Sequence, residues 1–77
     1  MLIEKLEPGT MLVTSKKHGT MFSTKVWDFS INEVISRFSC KSIAIVIRHH
    51  PMMPQFLEVV TSLGVHGWIS KSAIEEV

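Results

Sequence analysis

Seventy-seven residues leave room for one domain and no second core, and a chain of this size buries only about 60% of the surface its unfolded form exposes. An apolar fraction of 45% with 19% charged residues excludes a disordered chain, and a net charge of +1 is small for a dedicated nucleic-acid binder. The single Cys40 excludes an intramolecular disulfide, and the longest apolar run, 43–47, is far short of the ~20 residues a membrane helix needs. The opening MLIEKLEPG lacks the charged start and long apolar run of a signal peptide. A cytoplasmic location is therefore expected, in a bacterium or, for a viral protein, in its host.

Charge is unevenly spread. Lys16, Lys17, Lys25, Arg37, Lys41 and Arg48 stand against Asp28 and Glu33 between Thr10 and His50, an excess of +4 there. The flanking segments are slightly acidic. A solvated face is the plain reading of such a pattern, and an anion-binding surface the sharper one.

In chain order, Glu7-Pro8-Gly9-Thr10 reads as a turn, because proline presets φ and glycine accepts positive φ. Met11 to Thr14 is a short strand, and Ser15 to Gly19 a polar loop. The second half of Thr20 to Phe29 is a strand. Ser30 to Phe38 carries two conflicting signals. Ser30 and Glu33 match a capping box, and Ile31, Val34, Ile35 and Phe38 have helical spacing. Yet Val34 and Ile35 are β-branched, and so short a helix gains little from its own hydrogen bonds. The all-β context favours a strand over 33–38.

Ser39 to Ser42 is a turn, and Ile43 to Arg48 the strongest strand signal in the chain. The prolines of His49 to Gln55 make that stretch a loop. Phe56 to Thr61 follows as a strand with Leu57 and Val59 on one face and Phe56, Glu58 and Val60 on the other. Ser62-Leu63-Gly64 turns the chain, Val65 to Ile69 returns antiparallel, Ser70 to Ile74 forms a 3₁₀ turn, and 75–77 is a last short strand. Short strands with regular turn signals predict an all-β chain, closed as a small barrel of five or six antiparallel strands.

The order Phe56-Leu57-Glu58-Val59, Gly64, Gly67-Trp68-Ile69, then a 3₁₀ segment to Ile74, resembles a Src-homology-3-like barrel of the bacterial and phage branch. The resemblance covers residues 25–77 of the single domain 1–77, with 1–24 an added N-terminal strand and loop. It implies that Gly67 admits a close backbone, that Trp68 covers the side of the barrel, and that Ile69 joins Phe38, Ala44, Val46, Leu57, Val59 and Ile74 in one core. Peptide-binding members of the family place a proline right after the Gly-aromatic-aliphatic triplet and a tyrosine three positions later. Ser70 and Ala73 stand there, so recognition of a proline-rich helix is not expected.

Candidate chemistry is sparse. His49 and His50 with Met52 and Met53 are soft-metal ligand types, but a polar loop with tucked methionines explains them as well. His18, His66 and Cys40 have no orienting partner in sequence, and no phosphate-binding loop or paired catalytic carboxylate is present. No enzyme activity, cofactor or metal is assigned. The expected role is a non-enzymatic adaptor that binds a protein partner or itself through exposed aromatic and methionine side chains. The alternative is a small barrel binding RNA or single-stranded nucleic acid, with aromatic faces beside basic loops. The surface that would serve either role comprises Lys16, Lys17, His18, Trp27, Arg48, His49, His50, Phe56 and Trp68.

Overall fold

The computed structural model describes residues 6–18 and 22–77, without the side chain of His18. Seven strands form one antiparallel sheet: β1 (Met11–Thr14), β2 (Ser23–Trp27), β3 (Val34–Ser39), β4 (Ala44–His49), β5 (Phe56–Thr61), β6 (His66–Ser70) and β7 (Ile74–Glu76). Their order is β3-β2-β6-β5-β4-β1-β7. The described residues are all-β, with two short 3₁₀ turns at Lys16–His18 and Lys71–Ala73. The strand count of seven exceeds the five or six expected. The first residues of the 20–29 segment lie outside the described residues. β1 pairs with β4 on one side and β7 on the other.

The sheet curls over its core as a half-barrel. β3 and β7 form its two edges, and among the described residues no ladder joins them. Both edges carry features that blunt further pairing. β7 is only three residues long, and β3 bulges where Val26 faces Ser36 but Trp27 faces Val34, leaving Ile35 as the extra residue.

The inward face is continuous. Leu57 opposes Ile69, Val46 opposes Val59, and Leu12 opposes Ala44. With Leu6, Val26, Phe38 and Ile74 these residues make one buried cluster. Every residue assigned to the core by the resemblance is in it, and Ile69 is fully buried.

The strand reading of 33–38 holds, and the capping-box pattern resolves into a turn. Asp28 Oδ1 accepts the Asn32 and Glu33 amides, at 2.8 and 3.3 Å, and the Asp28 amide donates to the Glu33 carbonyl at 2.9 Å. Closing that turn forces Ile31 to φ 59°, a left-handed conformation that a β-branched residue rarely adopts.

Gly67 is where β2 meets β6. A Cβ built there would lie 2.3 Å from the Trp27 carbonyl oxygen and 2.9 Å from a Val26 methyl. Backbone cannot yield as a flexible side chain can. Gly67→Ala should therefore cost at least about 1–3 kcal/mol by overpacking, read as a lower urea midpoint. Ile31→Gly should do the opposite. Left-handed strain of about 1–2 kcal/mol exceeds the roughly 0.5–1 kcal/mol of added chain entropy, so the midpoint should rise by the equivalent of about 0.5–1 kcal/mol.

Candidate functional site

The outward face of the sheet gathers what sequence spacing kept apart. Cross-strand register runs Arg48–Glu58–Trp68–Trp27 through β4, β5, β6 and β2. Side chains at paired positions share a face, so these four stand in one row. Arg48 reaches that row because β4 bulges between Val46 and Arg48. Without the extra residue Ile47, strict alternation would turn Arg48 to the same side as Val46, into the core.

Glu58 is 4% exposed in the middle of this row. Its two oxygens have separate partners. Arg48 Nε donates to Oε1 at 2.5 Å, and His66 Nε2 meets Oε2. Burial pushes the Glu58 carboxyl up, but the hydrogen bonds and charges of Arg48 and His66 outweigh it and hold its pKa below the ordinary 4.5. A carboxylate so placed is a structural ion, paired because a lone buried charge would be costly.

Trp68 is 2% exposed, although it faces outward. Three side chains cover it. The His50 ring lies 4.6 Å from the indole, Arg48 Cζ 5.2 Å and the Phe29 ring 6.1 Å, centroid to centroid for the rings. The indole Nε1–H donates to the Phe29 carbonyl at 2.9 Å, pinning the β2–β3 turn over the tryptophan. His50 is fixed in turn: its Nδ1 accepts the Met52 and Met53 amides at 3.0 and 2.9 Å. The ring proton therefore sits on Nε2.

The nine residues expected at one surface divide. Arg48, His50, Trp68 and Trp27 come together. Trp68 does so as a covered residue and not as the exposed anchor expected, because its indole is the floor on which the other side chains pack. His49 belongs with Arg48 to β4 and not to the following loop. His49 turns away from its neighbour, its Nε2 2.5 Å from the Leu6 carbonyl. Phe56 is half-buried at the start of β5. His18 ends the first 3₁₀ turn, and its side chain lies outside the described residues. Lys16 and Lys17 are exposed in that turn, where the Lys16 amide donates to Glu75.

Lys16 and Lys17 do not converge with Arg48. Met11 pairs with Ile45, and from that pair Lys16 lies five residues one way and Arg48 three residues the other. At ~3.3 Å per residue the separation is on the order of 20 Å. Lys25 and Arg37, paired across β2 and β3, share the outer face instead. Lys25 Nζ lies 5.5 Å from the Trp27 ring, and Arg37 donates to Ser23.

Three members of the cluster were not singled out from sequence as site residues: Phe29, Glu58 and His66. Glu58 had a signal, being one acid inside the apolar strand FLEVVT. Its partners did not, because they depend on a bulge and on strand order. Among the described residues no group of three His, Cys, Asp or Glu side chains is arranged to hold a metal, and no helix is long and apolar enough to cross a membrane.

No protein-family model matches the chain, and no curated protein or solved structure matches it. The curled seven-stranded sheet is compatible with a Src-homology-3-like fold on its architecture alone.

Because the Glu58 pKa is lower in the folded state, its stabilisation is complete well above pH 4.5 and is lost as pH falls through the folded value. Glu58→Gln should cost about 1–3 kcal/mol at pH 7. The gap between variant and wild type should narrow as pH drops below about 4. Urea midpoints of both proteins between pH 7 and pH 3 check it; a gap independent of pH would mean the charge of Glu58 contributes nothing.

Proposed function

We propose that this chain is a non-enzymatic adaptor that binds another protein through the outward face of β1, β4 and β5. The observation that carries this reading is an apolar row. Met11 pairs with Ile45 and Ile45 with Val60, so all three share the outer face, and Ile43 stands two residues from Ile45 on the same side. Met11, Ile43 and Ile45 are 45%, 40% and 43% exposed. Neighbouring apolar side chains left in water on a sheet face are the usual mark of a contact surface, where isolated ones are not. No Lys, Arg, Asp or Glu interrupts the row.

Other features support the same reading. Glu58, His66, His49 and His50 are engaged in holding the fold together, which favours a binding role over acid–base chemistry. The Gly-Trp-Ile strand leading into a 3₁₀ turn supports a Src-homology-3-like barrel of the bacterial and phage branch. The alternative of nucleic-acid binding loses support from the separation of Lys16 and Lys17 from Arg48.

Ile45→Glu puts a charge in the centre of the row without touching the core. Sedimentation across a range of concentrations, with pull-down from the source cell and protein identification, should show self-association or a specific partner for the wild type. Both should be lost in the variant at an unchanged urea midpoint. A wild type that is monomeric throughout, with the same recovered proteins as Ile45→Glu, would end the proposal.

A further inference from the structure

We infer that Arg48 and His50 form a receptor for a carboxylate, and that the segment this protein binds presents an acidic side chain beside apolar ones. The inference deepens the adaptor reading and rests on it in taking a protein as the partner.

Arg48 contributes a fork that its internal partner leaves incomplete. Its Nε is committed to Glu58 Oε1, its Cζ lies 5.2 Å from the Trp68 ring and 6.0 Å from that of Phe29, and its side chain is still 46% exposed. Among the described residues no acceptor other than Glu58 is within reach of the guanidinium. Two terminal nitrogens in one rigid plane match the two oxygens of a carboxylate. His50 supplies a third donor. The Met52 and Met53 amides occupy Nδ1, so the hydrogen is on Nε2, and no described residue accepts it. Both groups pack on the same indole, which fixes them before any ligand arrives. Preorganised donors lose less entropy on binding than free ones.

The surroundings choose the class of ligand. Phe29 is 71% exposed and Met52 84%, so the donors are flanked by apolar surface. Along β4, Arg48 stands three residues from Ile45, about 10 Å on the same outward face once the bulge has turned it. An acidic side chain at Arg48 would therefore let neighbouring apolar side chains reach the row at Ile45. A nucleic-acid strand would need a track of cations spaced along its phosphates. Among the described residues Arg48 is the one Lys or Arg against Trp68, Lys25 lies over the neighbouring Trp27, and Arg37 donates to Ser23, which is too few cations for such a track. Glu58 does not repel the incoming acid strongly, because the Arg48 guanidinium bonded to it already offsets its charge.

Two variants isolate the donors without emptying the site. His50→Asn keeps an acceptor oxygen near the place of Nδ1 for the Met52 and Met53 amides and removes the Nε2–H. Arg48→Lys keeps the charge beside Glu58 and removes the fork. The probes are the peptide acetyl-Leu-Phe-Asp-Leu-Phe-amide, its Asn counterpart, and an oligothymidylate of similar length. The readout is the Trp68 indole N–H resonance of the full chain at pH 7, with urea midpoints confirming that each variant is folded.

The Asp peptide should shift that resonance saturably, with Kd in the millimolar range expected of a short probe, and at least about fivefold tighter than the Asn peptide. Each variant should reduce that preference to near unity. Equal binding of Asp and Asn peptides, unchanged preference in both variants, or tighter and salt-sensitive binding of the oligothymidylate each overturns the inference. Ile45→Glu separates the two claims. If it abolishes partner capture while the wild type shows no preference for Asp, the adaptor surface stands and the carboxylate site falls. If the preference survives in a chain that captures nothing, the site stands and the adaptor reading falls.

Discussion

One close approach of two backbones holds the two parts of this sheet together. β2 and β3 form a hairpin block, β4, β5 and β6 another, and β2 joins β6 through a single paired position, Trp27 with Trp68. Gly67 lies beside that position with the Trp27 carbonyl where a side chain would begin. Any Cβ there would push the blocks apart. Separation would unseat the Phe29 carbonyl from the Trp68 indole, and with it the cover over Trp68. The outer-face cluster depends on a missing side chain.

The same strands serve two surfaces. On β5 and β6, Leu57, Val59 and Ile69 enter the core, while Glu58, Trp68 and His66 stand on the other side. Small domains have little interior, and here a second packed layer forms outside the sheet around Trp68. It is built from an ion pair, an indole and a turn, not from aliphatic groups. That layer withdraws Trp68 from any role as a bare contact, and leaves Phe29, Met52 and the donors of Arg48 and His50 at its rim. The apolar row of Met11, Ile45 and Val60 lies farther along the same face, on strands that no second layer covers among the described residues.

How much of this could be read beforehand differs by element. Strong β-branched runs gave β4 and β5 away, and Gly64 at φ 81° closes the hairpin where glycine spacing predicted. At 30–38 local pattern misled, because Ser30 and Glu33 mimic a helix start while Asp28 caps a turn. The stiffness of β-branched Val34 and Ile35 counted against a helix, and the all-β context supplied the correct answer. The site was less legible. Grouping the basic residues into one surface put Lys16 with Arg48, which antiparallel pairing of β1 and β4 sends to opposite ends.

From the residues alone came the strand character, the turns, and the shared face of Leu57 and Val59, while the resemblance supplied the rest of the inward set, Phe38, Ala44, Val46, Ile69 and Ile74. Those properties are local or follow from alternation, and alternation is written in the order of side chains. Tertiary structure alone decided that the sheet has seven strands and open edges. It also decided that Arg48 faces Glu58 and that Trp68 is covered. Each of these depends on which strands become neighbours and on an extra residue that shifts the phase of one of them, and neither fact has a local signature.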